Sequence, residues 1–238
     1  MNTVLHKVNT RGHADHGWLN SWHSFSFAGY YDPSRVHFGT LRVLNDDTVA
    51  GGMGFGKHPH DNMEIISIPL EGDLEHGDNM GNKTVIRKGD VQIMSAGTGV
   101  VHSEKNHHSD LPVKFLQIWV IPNRHNVQPR YDQKAIAEVA KHNQLATVVS
   151  PIGSGEGVEI HQDAWFSLGK LDKATVLEYK IRKEGNGVYA FVLEGDAIIN
   201  EIVLNRRDGL GINETNTLSI KADTDTEILL MEVPMQIS

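Results

Sequence analysis

Two pairs of residues in the first half of the chain have the types and spacing of a metal site. Residues 56–64 read "GKHPHDNME", and residues 99–106 read "GVVHSEKN". On a strand, side chains alternate between faces, so His58 and His60 point the same way with Pro59 turned aside. The proline confines this stretch to an edge or bulged position. His102 and Glu104 repeat the two-residue spacing, with Ser103 turned away. Three imidazole nitrogens and one carboxylate oxygen suit a first-row divalent metal and leave positions open for water, substrate or oxygen. On spacing alone Glu64 is a rival carboxylate, four residues after His60. A set without sulfur does not choose among iron, manganese, nickel, cobalt, zinc and copper.

The remaining histidines surround these pairs without joining them on spacing alone. Eleven of the fourteen histidines lie at or before position 108. His76 and Asp78 follow the "LEGD" turn and are expected on a solvated hairpin. His107 and His108 are expected on a loop, and His23, in "SWHSFSF", in a structural role. Met94 and Trp119 are expected to line a barrel or pack its core, and the tyrosines of "GYYDP" are candidates to gate the pocket.

The elements that must position these residues are strands. Short apolar runs such as "TLRVLND", "MEIISIPLEGDLEH" and "KFLQIWVIP" are separated by Gly-Asp and Asn-Asp turns, which predicts an all-β sandwich or barrel. The chain also repeats itself. "LEGD" occurs at Leu70–Asp73 and at Leu193–Asp196. "RKGDVQIM" from Arg87 matches "RRDGLGI" from Arg206, and "FLQIWVIP" matches "EILLMEVP". Four landmarks in one order predict two related β units, over 1–130 and 145–238. One connector, 131–144, carries a helical pattern from Asp132 to Gln144, with Ile136, Val139 and Ala140 as its apolar stripe. Aligning the two "LEGD" turns sets Ile181 opposite His58, Lys183 opposite His60 and Gly187 opposite Glu64. The second unit keeps the scaffold and lacks the ligands.

Composition excludes several functions. The 238 residues carry a net charge of −8 and no cysteine. Disulfides, thiolate metal sites and thiol catalysis are therefore excluded, and no basic stripe exists for nucleic acid. No apolar run approaches the ~20 residues that span a bilayer, so a cytoplasmic protein without a membrane partner is expected, with a monomer as the default.

"GMGFGKHPHDNMEIISIPLEG" resembles the first cupin motif, from Gly52 through His58, His60 and Glu64 to Gly72, its last spacing one residue longer than usual. "GDVQIMSAGTGVVHSEKN" resembles the second, through Gly89, Gly99, His102 and Asn106, with Ser95 in place of a proline and a longer turn. Together with "SWHSFSFAGYYDP" and "LEGDLEHGDNMGN", these stretches resemble the bacterial pirin family. The resemblance is strongest over 10–131 and weaker after 150. It implies two tandem cupin barrels, a bicupin, with the short connecting helix between them. It implies a metal held by His58, His60, His102 and Glu104, with Glu64 behind a ligand histidine. One divalent transition metal is expected, iron(II) first. The implied activity is quercetin 2,3-dioxygenation, in which Glu104 takes the flavonol 3-hydroxyl proton and O2 is the second substrate. A metal-binding regulatory or redox-sensing module with a protein partner is the alternative from another class. A cupin isomerase or decarboxylase that needs no oxygen is a third.

Overall fold

The computed structural model describes residues 1–136 and 142–237. Its first strands are β1 (Asn2–His6), β2 (Gly12–Asp15), β3 (Leu19–His23), β4 (Leu41–Val49), β5 (Gly54–His60) and β6 (Glu64–Glu71). Next come β7 (Leu74–Asp78), β8 (Lys83–Ile86), β9 (Asp90–Ser95), β10 (Val100–Asn106), β11 (Val113–Val120) and β12 (Arg130–Ala135). The second half holds β13 (Leu145–Pro151), β14 (Val158–Ile160), β15 (Trp165–Leu171), β16 (Val176–Lys180) and β17 (Asn186–Glu194). It ends with β18 (Ala197–Ile199), β19 (Ile202–Leu204), β20 (Gly209–Asn213), β21 (Thr217–Ala222) and β22 (Thr226–Pro234). No helix among the described residues is long and apolar enough to cross a membrane.

The fold is two cupin-type β units, each a seven-stranded sheet with a four-stranded sheet. In the first, the large sheet runs β12-β9-β6-β11-β4-β3-β2 and the small one β5-β10-β7-β8. In the second, the orders are β1-β20-β17-β22-β15-β13-β14 and β16-β21-β18-β19. The strand orders correspond position by position, except that the edge pair β13–β14 is parallel where β2–β3 is antiparallel. The two "LEGD" turns follow β6 and β17, matching central strands, with Gly72 and Gly195 at φ of 72° and 75° where a side chain would be strained. The repeat read from the sequence is thus a structural repeat.

Four apolar clusters follow from this layering. Ile66, Ile68, Ile93, Leu116 and Ile118 of the first large sheet bury against Val149, Phe166, Phe191, Leu229 and Met231 of the second. Residues such as Val188, Ala190, Leu218 and Ile220 fill the second unit with apolar side chains. The first unit differs. Apolar clusters lie at its two ends, Leu74, Ile86 and Phe115 in one, Ile65, Met94 and Val100 in the other. Polar Ser67, Gln92, Glu104 and Gln117 are buried between them. A buried polar row is expensive unless it is satisfied or used.

The connector departs from the sequence expectation. Residues 132–135, expected to open a helix, belong to β12 and pair antiparallel with β9, Asp132 opposite Ile93 and Lys134 opposite Val91. The physical reason is tertiary. Without β12 the edge of β9 would be unpaired, and the alternation of "RYDQKA" sends Tyr131 inward to meet Thr84 while Arg130 and Asp132 pair with each other at 3.5 Å. His142 and Asn143 form a turn before β13. The rest of the expected helix, 137–141, lies outside the described residues. The chain's first strand is also non-local: β1 pairs with β20, Val4 opposite Gly211, and so completes the sheet of the second unit.

Candidate metal centre

Strands β5, β10 and β7 lie side by side in the small sheet of the first unit. His102 is directly opposite His58 on one side and Asp78 on the other, and Glu104 is opposite His76. The β5–β10 register shifts between His102 and Glu104, a bulge that re-aims side chains. Ligand-capable nitrogens of His58, His60 and His102 converge, all within 4.8 Å of one another. The ring centroids are 4.4 Å apart for His58 and His102, 4.8 Å for His58 and His60, and 4.9 Å for His60 and His102. His58 and His60 are half-buried and His102 is buried, so the trio faces a mouth at its His58–His60 side.

Glu104 stands on the inner side. Its carboxylate forms a group with His102 and His76, not with His58 and His60. Both oxygens are held: Ser67 Oγ donates to Oε1 at 2.9 Å and Gln117 Nε2 donates to Oε2 at 2.7 Å. Ser67 and Gln117 are cross-strand neighbours on β6 and β11, so the large sheet fixes this carboxylate from below. His60 packs edge-on against Trp119, ring centroids 5.0 Å apart, and Trp119 against Phe27 at 5.4 Å. With Ile65, Met94 and Val100 these rings form an apolar wall. Met94 and Trp119 line the barrel as expected.

The protonation state suits ligation. Burial, with the neighbouring His102 and His58 rings, pushes His60 down to about 4. Burial, with the His58 and His76 rings, pushes His102 down to about 3. Both are neutral imidazoles near pH 7 with a lone pair to offer. His58 Nδ1 lies 2.8 Å from Gly56 O. A carbonyl only accepts, so Nδ1 carries the hydrogen and Nε2 the lone pair. Neither ring nitrogen of buried His102 has a partner. Orphaned buried polar atoms cost roughly 1–3 kcal/mol each, and a coordinated cation would relieve that cost. The residues therefore fit a divalent first-row metal.

Glu64 is a correction. It is buried but on the opposite face of β6. Its Oε2 accepts from Ser95 Oγ at 2.7 Å, and the His161 backbone also reaches it. The reason is the chain reversal at residues 61–63, where Asn62 takes φ of 44°. His60 ends β5 and Glu64 begins β6, so counting four residues along one strand does not apply. Ile65 takes the inward position and Glu64 faces the second unit.

His76 and Asp78 are the second correction. Both side chains are 0% exposed rather than solvated, and the His76 ring packs tilted against Tyr131, centroids 4.8 Å apart. The signal was present: they stand two apart on one strand, as His58 and His60 do. His23 is buried and bonded to Ser21 at 2.8 Å, in the structural role expected. His107 and His108 sit beside Glu75 and Asp73 after β10, as expected of a loop. Tyr31 is 74% exposed, and Tyr30 lies over Gly12. In the second unit, Ile181 packs on the apolar core and Lys183 pairs with Asp163, which leaves no ligand set at the equivalent positions.

Residues 4–120 match the family model described as Pirin, and 147–233 match that of a quercetinase C-terminal cupin domain. The chain is 44% identical over 230 residues to a quercetin 2,3-dioxygenase of Escherichia coli strain K12, covering 97% of this chain and 98% of that one. It is 37% identical over 222 residues to a pirin-like protein of Caulobacter vibrioides, covering 93% and 95%. Its structure superposes on that of the bacterial pirin YhhW from Escherichia coli, in complex with nickel(II), with a TM-score of 0.93 and 41% identity over 99% and 100% of the two chains. GK1651 from Geobacillus kaustophilus, 20% identical with a TM-score of 0.82, shares the fold. By family model, relatives and architecture together, the chain belongs to the pirin family.

Proposed function

We propose that the protein is a metal-dependent dioxygenase that opens the central ring of quercetin-like flavonols with O2. The carrying observation is the convergence of three imidazoles at a barrel mouth with a fixed carboxylate behind them. In this reading His58, His60, His102 and Glu104 hold one divalent ion, iron(II) first. The name of the Escherichia coli relative supports the substrate class, and the nickel(II) complex of the structural neighbour supports a divalent ion. The N-terminal unit carries the chemistry, and the second unit buries its outer sheet face. Such an ion supplies positive charge that stabilises an anionic oxygen and orients two reactants.

The chain's own residues do the rest. The wall of Trp119, Ile65, Met94 and Val100 gives a flat aromatic ligand an apolar face beside polar groups that fix its orientation. Each Glu104 oxygen accepts one hydrogen bond and keeps a further lone pair. Glu104 takes the flavonol 3-hydroxyl proton on such a lone pair, and Ser67 and Gln117 hold the carboxyl in place as it arrives. Positioned proton transfer of this kind contributes typically ~10²–10⁴ in rate. Oxygen uptake with quercetin, measured on iron(II)-loaded protein, tests the reading. Uptake matched to flavonol loss is expected. A metal-replete protein that leaves quercetin intact in air contradicts it.

A further inference from the structure

The His76–Asp78 pair sits on the inner side of the centre, and nothing above uses it. His76 Nε2 lies 2.9 Å from Asp78 Oδ2. The same carboxylate accepts from Met80 N at 2.9 Å, Asn82 N at 3.0 Å and Asn82 Nδ2 at 2.8 Å. A carboxylate with this many donors is an acceptor toward His76, so Nε2 carries a hydrogen, and in the neutral ring the lone pair is on Nδ1. That Nδ1 is buried and without a partner. A ring nitrogen of His76 lies within 4.8 Å of a ring nitrogen of His102 and a carboxylate oxygen of Glu104. Three buried residues with ligand-capable atoms are thus grouped here, and the hydrogen on one of them is placed by a neighbour. A carboxylate behind a histidine is the usual support of a metal ligand.

We propose that His76, His102 and Glu104 form an inner position for a divalent first-row cation. It overlaps the position proposed above, of His58, His60, His102 and Glu104, through His102 and Glu104. The centre then has two stations for the ion, and His76 is a ligand at the inner one. Two nitrogens and one oxygen suit the same metals as the outer set. The inference rests on the proposed metal centre.

The test is calorimetry with Ni²⁺ on the full chain, joined to pulsed EPR of the Cu²⁺-loaded protein to count coordinated imidazoles. Four proteins are compared: the parent, H58A/H60A, H58A/H60A/H76A and H58A/H60A/D78N. Circular dichroism verifies the sheet content of each. H76F, which fills the space without a lone pair, replaces H76A if alanine unfolds the hairpin. The expected result is that H58A/H60A still binds one ion with two imidazoles coordinated, at an affinity roughly 100-fold below the parent. The triple variant with H76A then loses that binding, and D78N weakens it by roughly 10-fold, the lower end of supporting-residue effects. Residual binding in H58A/H60A that H76A leaves unchanged overturns the inner position, as does no binding in H58A/H60A beside a parent that binds. A parent that takes up no ion overturns the metal centre itself, and the inner position with it.

Discussion

His58 and His102 lie directly across one antiparallel register position of β5 and β10, their rings 4.4 Å apart. Cross-strand neighbours of this kind are held by the sheet's own hydrogen bonds. The centre is therefore preorganised by backbone pairing rather than by the loops around it. The shared histidine, His102, has both ring nitrogens without a partner, and the structure's chemistry turns on it.

Glu104→Gln preserves the volume of the side chain and removes its capacity to take a proton. Turnover of quercetin is expected to fall by ~10²–10⁴ while the protein still folds. A parent-like rate in this variant would remove Glu104 from the proton step.

Ser67→Ala deletes the hydroxyl that donates to Glu104 Oε1 and leaves Gln117 as its one side-chain donor. Metal affinity is expected to fall by ~10–100-fold, as for other residues that orient a ligand, with stability lowered by about 1 kcal/mol. Calorimetry and urea unfolding measure the two effects separately.

Burial pushes the Glu64 carboxyl up to about 7, against hydrogen bonds from Ser95 and the His161 backbone that favour its charged form. A carboxyl whose folded pKa lies above its unfolded value binds more protons folded than unfolded. Its contribution to stability is full below the unfolded value of 4.5 and is lost as pH rises toward 7. Glu64→Gln is therefore expected to gain on the parent between pH 5 and 8, by up to about 3 kcal/mol. Denaturant midpoints at both pH values check this. A gap that narrows with rising pH would contradict it.

Ile66 is fully buried between the two large sheets. Ile66→Ala leaves a cavity there and is expected to cost about 2–5 kcal/mol. Because Ile66 faces away from the centre, the affinity of the remaining folded protein for Ni²⁺ is expected to stay at the parent value.

Much of this architecture was legible in the chain. The "LEGD" turns, with their forced positive φ, mark matching central strands, and the two-residue spacing of His58/His60 and His102/Glu104 follows from strand alternation alone. Three features needed three dimensions. Glu64 was assigned inward by counting along a strand that the turn at residues 61–63 interrupts. The segment 132–135 carries a helical pattern, but the open edge of β9 recruits it as a strand. His76 and Asp78 obey the same alternation as the other pairs, yet their polar, glycine-containing hairpin reads as solvated until β8 and Tyr131 cover it.

The most direct measurement is elemental analysis of purified parent and His102→Ala protein after equilibration with iron(II) and removal of free ion. One ion per chain in the parent and none in the variant is the predicted result, because His102 is common to every ligand group described. A parent that retains no stoichiometric ion, or a folded His102→Ala protein that keeps one, would contradict the account.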